Sequence, residues 1–104
     1  MNIQQLRYVV AIANSGTFRE AAEKMYVSQP SLSISVRDLE KELGFKIFRR
    51  TSSGTFLTRR GMEFYEKAQE LVKALMFFKT SMPILRMKRR NSRSRVSTMI
   101  SFLR

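Results

Sequence analysis

The chain has 104 residues and carries 20 Lys and Arg against 8 Asp and Glu, a net charge of +12. This length fits one small domain, or a domain with a tail, and the basic excess favours nucleic acid as a partner over an anionic membrane. Cysteine and histidine are both absent, which removes disulfides, thiolate metal sites and the commonest general base. The sequence has no apolar run that could span a bilayer and no signal-peptide pattern, so it predicts a cytoplasmic binding protein without enzymatic activity or a cofactor.

The first part of the chain predicts two short helices separated by a breaker. Apolar residues within positions 3–13 recur at helical spacing, and Asn2 is placed to cap this helix. Residues 14–16 (Asn-Ser-Gly) end it. Thr17 and Glu20 then have the spacing of a capping box, which begins the second helix.

A third helix is predicted from Ser28 to Gly44. Ser28 is a favourable N-cap, Pro30 is tolerated in the first turn, and Gly44 suits the left-handed residue that ends a helix. One face is an apolar stripe of Leu32, Val36, Leu39 and Leu43. Two short helices, a tight turn and this third helix predict a helix-turn-helix.

The opposite face of the third helix begins with small or amide side chains. Its members are Gln29, Ser31, Ser33, Ile34 and Arg37. Short hydroxyls allow close approach to another surface, and a glutamine can make a two-pronged contact to an adenine edge in the major groove. Either this face reads DNA, or it is an ordinary solvated face with a Ser/Gln box at its N-terminus.

Residues 45–51 and 55–58 are two brief β-prone runs around a Ser/Gly turn, which predicts a hairpin. A hairpin beside a helix-turn-helix is a wing. Its basic pair, Arg49 and Arg50, either reaches phosphates or a minor groove, or is a solvated charge pair.

Thr58 is placed to cap a long helix over residues 59–79. A seam with alternating spacings of four and three runs along it: Phe64, Ala68, Leu71, Leu75 and Phe78. A neighbouring stripe contains Met62, Tyr65, Gln69 and Val72. Two apolar faces predict two partners, the helix's own domain and a second copy of the chain, with the seam as the dimerisation face. The alternative is that both stripes belong to one intramolecular core.

The composition changes near Thr80. Seven of the 20 basic residues and none of the acidic ones lie in residues 83–104, so more than half of the net charge belongs to this tail. The tail fits no regular period and is predicted to be weakly ordered. The predicted organisation is therefore a mainly α winged helix-turn-helix domain over residues 1–58, a linker helix over 59–79, and a basic tail over 80–104.

The chain resembles the LysR-type transcriptional regulators over about residues 1–79. The motifs that match, in order and spacing, are Leu6-x-x-x-Val10, Gly16-Thr17-Phe18, Ala21-Ala22, residues 28–33 (Ser-Gln-Pro-Ser-Leu-Ser), Leu39-Glu40-x-x-Leu43-Gly44, Phe48-x-Arg50 and Leu57-Thr58-x-x-Gly61. The resemblance implies a DNA-binding domain that dimerises through the linker helix. In the family a domain that senses a small molecule follows, and the sequence after Lys79 does not resemble it.

The resemblance also implies a set of DNA contacts. It places Ser28 on a phosphate, Arg37 on the DNA backbone and Arg50 in the wing. The residues that it places in the major groove are Gln29, Pro30, Ser31 and Ser33. Position 34 is often basic in the family and is Ile34 here, which either contacts a thymine methyl or is buried. The full predicted DNA-binding set is Thr17, Ser28, Gln29, Pro30, Ser31, Ser33, Ile34, Arg37, Arg49 and Arg50.

These expectations combine into a sequence-specific transcription regulator that binds double-stranded DNA as a homodimer, or in mixed dimers with full-length relatives, without a small-molecule effector of its own. One alternative is a non-functional or interfering fragment of a regulator whose reading frame shifts near Lys79. The tail is otherwise a real basic extension that adds non-specific DNA affinity, or an artefact. The other alternative is a basic protein that binds a membrane surface.

Overall fold

Four helices and one hairpin follow each other in the computed structural model, which describes residues 1–91. The elements are α1 (Ile3–Ser15), α2 (Phe18–Met25), α3 (Gln29–Leu43), β1 (Phe48–Thr51), β2 (Gly54–Leu57) and α4 (Arg59–Asn91). The two strands pair antiparallel, with Phe48 opposite Leu57 and Thr51 opposite Gly54. The predicted mainly α winged helix-turn-helix is therefore confirmed.

The first three helices begin at the caps that the sequence predicts. The Asn2, Thr17 and Ser28 side chains each accept a hydrogen bond from the backbone N–H three residues on, at 2.8, 3.1 and 3.2 Å. These bonds satisfy donors that a helix N-terminus otherwise leaves unpaired. Gly16 and Gly44 end α1 and α3 with φ of 88° and 83°, a conformation that glycine adopts without a steric penalty.

The core lies where α1, α2 and α3 pack against one another and against the base of the wing. Its fully buried side chains include Val9, Ile12, Leu32, Leu39 and Ile47. The predicted stripe on α3 is confirmed, since Leu32, Val36 and Leu39 are buried and Leu43 is half-buried. The leading turn of α3 remains on the surface because this stripe lies on the opposite side of the helix.

A backbone hydrogen bond and an aromatic contact help to attach the wing to the helical core. The Thr55 N–H donates to the Gly16 carbonyl at 3.0 Å, which ties β2 to the turn between α1 and α2. Phe48 is buried, and its ring meets the Phe18 ring edge to face at 5.7 Å between centroids and 77° between planes. Such aromatic pairs are favourable beyond their burial alone. The hairpin therefore has a defined position beside α2.

The helix α4 begins against the residue that precedes β1. The Thr58 N–H donates to the Ile47 carbonyl at 2.9 Å, and the Thr58 hydroxyl accepts from the Gly61 N–H at 2.9 Å. Gly61 comes so close to Ile47 that an added Cβ would lie 2.0 Å from the Ile47 carbonyl oxygen. Thr58 thus caps α4, as the sequence predicts. Position 61 requires glycine because any larger residue would collide with the Ile47 carbonyl.

The predicted dimerisation seam is divided along α4. Ala68 is 1% exposed within one chain, and Phe64 is half-buried against the core. Ala68 is therefore unavailable to a second copy, because its own domain already covers it, whereas the assignment of Phe64 to the dimer face stays a prediction. Leu71 and Phe78 are exposed, and Leu75 is half-buried.

The helix α4 is longer than the sequence predicts. It continues to Asn91, twelve residues beyond the predicted end at Lys79, while the expectation of weak order over residues 80–104 stays a prediction. Apart from Pro83, residues 80–91 are mostly good helix formers such as Leu, Met, Lys and Arg. The predicted tail over residues 92–104 lies outside the described residues.

By its internal contacts the chain divides after Lys73, within α4. The first turns of α4 therefore belong to the winged unit. Tyr65 contributes to this attachment, since its hydroxyl donates to the Asn14 side-chain oxygen at 2.7 Å. None of the helices in residues 1–91 is both long and apolar enough to span a membrane.

We expect Gly61→Ala to lower the free energy of unfolding by about 2 kcal/mol, because the new methyl displaces the Ile47 carbonyl. In a helix interior without such an obstruction, Gly→Ala would instead raise the free energy of unfolding by about 1 kcal/mol. The sign of the change in stability therefore shows whether Gly61 contacts Ile47. Urea unfolding followed by circular dichroism measures it. Glu63→Ala, at an exposed site in the same turn, is the control, and a stabilised Gly61→Ala variant would contradict the contact.

Candidate nucleic-acid interface

The leading turn of α3 presents polar side chains to solvent. Ser28, Gln29, Pro30 and Ser31 are all exposed. The Ser28 hydroxyl donates to the Ser31 hydroxyl at 2.8 Å while it accepts from the Ser31 N–H. Within residues 1–91 the Gln29 side chain has no hydrogen-bond partner, so both its amide donor and its carbonyl acceptor are free for a ligand.

The second turn of α3 extends this surface toward the wing. Ser33 is half-buried and Arg37 is exposed. Ile34 is 54% exposed, which rules out the alternative that it is a buried core residue. An exposed isoleucine between polar neighbours offers an apolar contact point on an otherwise hydrophilic face.

Arg50 links the wing to both helices of the helix-turn-helix. Its guanidinium lies 3.6 Å from the centroid of the Phe18 ring at the start of α2. The same guanidinium donates to the Ser33 hydroxyl on α3 at 2.8 Å. A planar guanidinium can stack on an aromatic face and donate hydrogen bonds at its edge at the same time. Arg50 therefore fixes the wing against α2 and α3.

Arg49 has a different environment, although it is the next residue in β1. It is exposed and lies opposite Phe56 across the hairpin. Among the described residues it lacks the contacts to Phe18 and Ser33 that Arg50 makes. In the described part of the chain it makes no ion pair. The sequence could not distinguish the two arginines, and the structure leaves Arg49 as the unengaged cation of the wing.

A groove of about 340 Å³ separates the leading end of α3 from the wing turn. Gln29 and Arg50 line it together with Thr17, Arg19 and wing residues 51–55. Thr17, at the N-cap of α2, thus lies beside Gln29 as the predicted set requires. No pattern in the sequence points to Arg19, because it is a single basic residue on a short helix. Its side chain is mostly exposed and lies 3.8 Å from Glu23.

A second groove, of about 530 Å³, lies between the outer face of α3 and the wing. Its basic lining residues are Arg37, Lys46, Arg49 and Arg50. The one acidic side chain in that lining, Glu40, is directed inward. Its Oε2 accepts from the Ile47 N–H at 2.7 Å and the Phe48 N–H at 3.3 Å. The groove therefore presents mainly positive charge to the solvent.

Glu40 is the second residue that sequence reasoning missed. It reads as one of several acidic residues in the back half of α3, yet its side chain is only 10% exposed. Its carboxylate holds the start of β1 against α3, and charge-assisted bonds to backbone N–H groups are stronger than neutral ones. The Leu39-Glu40 pair in the family motif was the only signal for this role.

The surface formed by the leading end of α3 and the wing combines free amide and hydroxyl groups on a helix end with basic side chains on both sides. This arrangement suits a polyanion whose base edges can form hydrogen bonds. Among residues 1–91 there is no cluster of acidic side chains that could hold a metal ion.

Known proteins with related sequences share this domain. Residues 3–62 match the family model of bacterial regulatory helix-turn-helix proteins of the lysR family. The chain is 43% identical over 72 residues to the HTH-type transcriptional regulator TfdT of Cupriavidus pinatubonensis, covering 69% of this chain and 32% of TfdT. It is 40% identical over 79 residues to the DNA-binding transcriptional dual regulator OxyR of Escherichia coli, covering 76% of this chain and 26% of OxyR.

The fold is shared as well. The DNA-binding domain of BenM, solved in complex with catB site 1 DNA, superposes with a TM-score of 0.77 at 32% identity, covering 82% of this chain and 96% of that domain. The chain spans about a third of the length of TfdT and a quarter of OxyR. On the family match over residues 3–62 and on this shared architecture, the chain belongs to the lysR family of bacterial regulatory helix-turn-helix proteins.

Proposed function

We propose that this domain binds double-stranded DNA sequence-specifically and regulates transcription, with the leading turn of α3 in the major groove. The observation that carries the proposal is the exposed, unpaired Gln29 side chain on a helix end that basic grooves border. The related BenM domain, which was solved on DNA, supports it. As a regulator of transcription the protein would act in the cytoplasm, on the bacterial nucleoid.

In this proposal each side chain has a separate role. Gln29 reads an adenine edge with its amide, and Ser31 and Ile34 contact neighbouring base edges, Ile34 through a thymine methyl. Ser28, Thr17 and the N-terminal N–H groups of α3 fix the domain on phosphates. Pro30 limits the flexibility of the leading turn, and Arg37 and Arg49 supply charge for the DNA backbone.

Ser33 and Arg50 have a positioning role. Since Arg50 donates to Ser33 and stacks on Phe18, the two residues set the angle between the wing and α3. Arg50 retains its positive charge in this position, so it still contributes to attraction of the phosphate backbone.

We further propose a homodimer formed through the exposed face of α4 at Leu71, Leu75 and Phe78. Among the described residues Leu71 and Phe78 are more than half exposed and Leu75 is half-buried. Large, partly exposed apolar side chains at this heptad-like spacing favour a helical partner. A two-fold dimer would place two copies of α3 in successive major grooves, about 34 Å apart.

We expect Gln29→Ala to weaken binding to a selected site by about 1–3 kcal/mol and to relax the preference at one base pair. Selection from a random duplex pool provides the site, and fluorescence anisotropy measures the affinity for that site and for its single-base variants. Gln4→Ala, the same substitution at an exposed position of α1, should bind like the parent. Equal losses by Gln29→Ala on selected and random DNA would contradict base readout.

We expect substitutions of the two wing arginines to have different effects on DNA binding and on stability. Arg49→Ala is expected to reduce the slope of log K against log salt by about 0.9, the value for one phosphate contact. Arg50→Lys retains the charge but loses the planar guanidinium that stacks on Phe18. We therefore expect the free energy of unfolding to fall by about 1 kcal/mol and DNA binding to weaken, with a nearly unchanged salt slope. Salt titrations and thermal unfolding distinguish the two variants, and identical behaviour would refute their separate roles.

Phe78→Glu should convert the dimer into a monomer, because it places a charge within the proposed seam. Phe77→Glu is the matched control, since Phe77 is even more exposed, at 75% against 56%, but lies off the seam. Sedimentation equilibrium at several concentrations gives the masses. A parent protein that is monomeric throughout, or two variants that dissociate equally, would exclude this seam.

A further inference from the structure

Tyr26 is the most exposed large hydrophobic side chain of the winged unit, with 94% of its surface accessible. It lies in the turn of the helix-turn-helix, two residues before the Ser28 cap of α3. Its backbone is left-handed, with φ 58° and ψ 42°. Among residues 1–91 it is the only residue other than glycine with positive φ.

The fold itself does not explain a tyrosine at this position. A left-handed conformation is unfavourable for a residue that carries a Cβ, and glycine or asparagine adopts it more readily. An aromatic ring that remains in water adds no burial in return. A non-glycine outlier whose side chain serves no internal contact points to a role outside the chain.

The turn nevertheless holds the backbone of Tyr26 in a defined place. The Tyr26 N–H donates to the Glu23 carbonyl at 3.3 Å, and the Val27 N–H donates to the Ala22 carbonyl at 3.1 Å. The chain then enters α3 directly through the Ser28 cap. Tyr26 therefore adds an exposed aromatic side chain to the surface beside the leading end of α3.

We infer that the Tyr26 hydroxyl donates a hydrogen bond to a DNA phosphate beside the major groove that α3 enters. A tyrosine hydroxyl is one of the neutral donors that bind phosphate oxygens and fix the register of a protein on a duplex. This inference rests on the proposed function. It adds a positioning contact from the turn that precedes α3.

Tyr26→Phe is the decisive variant, because it removes only the hydroxyl. We expect it to weaken binding about threefold to tenfold, as for one hydrogen bond, by the same factor on selected and random duplexes. The salt slope should stay unchanged because no charge is lost. A loss confined to the selected duplex, or no loss at all, would overturn the inference.

Tyr65→Phe is the matched control. It removes a hydroxyl that bonds to Asn14 within the chain, so it should lower the melting temperature and leave DNA affinity unchanged. A parent protein that fails to bind its selected duplex would reject the proposed function itself. A parent that binds, together with a Tyr26→Phe variant of equal affinity, would reject only the role of Tyr26.

Tyr26→Asn tests the conformational part of the inference. Asparagine tolerates the left-handed region, so we expect an unchanged or higher melting temperature together with binding at least as weak as that of Tyr26→Phe. Replacing single flanking phosphates by methylphosphonates should abolish the difference between parent and Tyr26→Phe at one position. A destabilised Tyr26→Asn variant, or a difference that survives at every position, would contradict the inference.

Discussion

The peptide groups around Ile47 join the three parts of this domain that must keep a fixed geometry. The Ile47 N–H binds the Glu40 carboxylate of α3, and its carbonyl accepts from Thr58 at the start of α4. The side chain between them is fully buried, and Gly61 lets α4 approach this carbonyl closely. One residue before the wing thus connects α3, the hairpin and α4. Rotation of the wing against α3 would break the charge-assisted hydrogen bond between the Ile47 N–H and Glu40, whose side chain is almost shielded from water.

Rigidity at that junction explains how so small a domain can offer a readable surface. The interior fixes the base of the wing, and Arg50 fixes its position over Phe18 and Ser33. The leading turn of α3 is then left with no structural task beyond its own cap. Side chains such as Gln29 remain available to a partner, already oriented by the helix. Pre-organisation of this kind reduces the entropy that binding would otherwise cost.

Local features of this fold could be predicted from the sequence because their signals are local. Caps at Asn2, Thr17 and Ser28, the apolar stripe of α3 and the hairpin all arise from residues within a few positions of each other. Contacts between residues that are far apart in the sequence leave no periodic pattern or local motif. The inward turn of Glu40, the stacking of Arg50 and the burial of Ala68 each depend on which element lies opposite. Periodicity identified a seam on α4, but only the fold shows that the domain itself buries Ala68 and leaves Leu71 and Phe78 exposed.

The central claim is that the leading turn of α3 and the wing face DNA. Titrating isotope-labelled protein with a short duplex, while recording amide NMR shifts, tests it without knowledge of the target sequence. The account predicts the largest shifts at residues 26–34 and 49–53, and small shifts over the first two turns of α1. Shifts concentrated on α1 or along α4, with residues 28–33 unmoved, would contradict it.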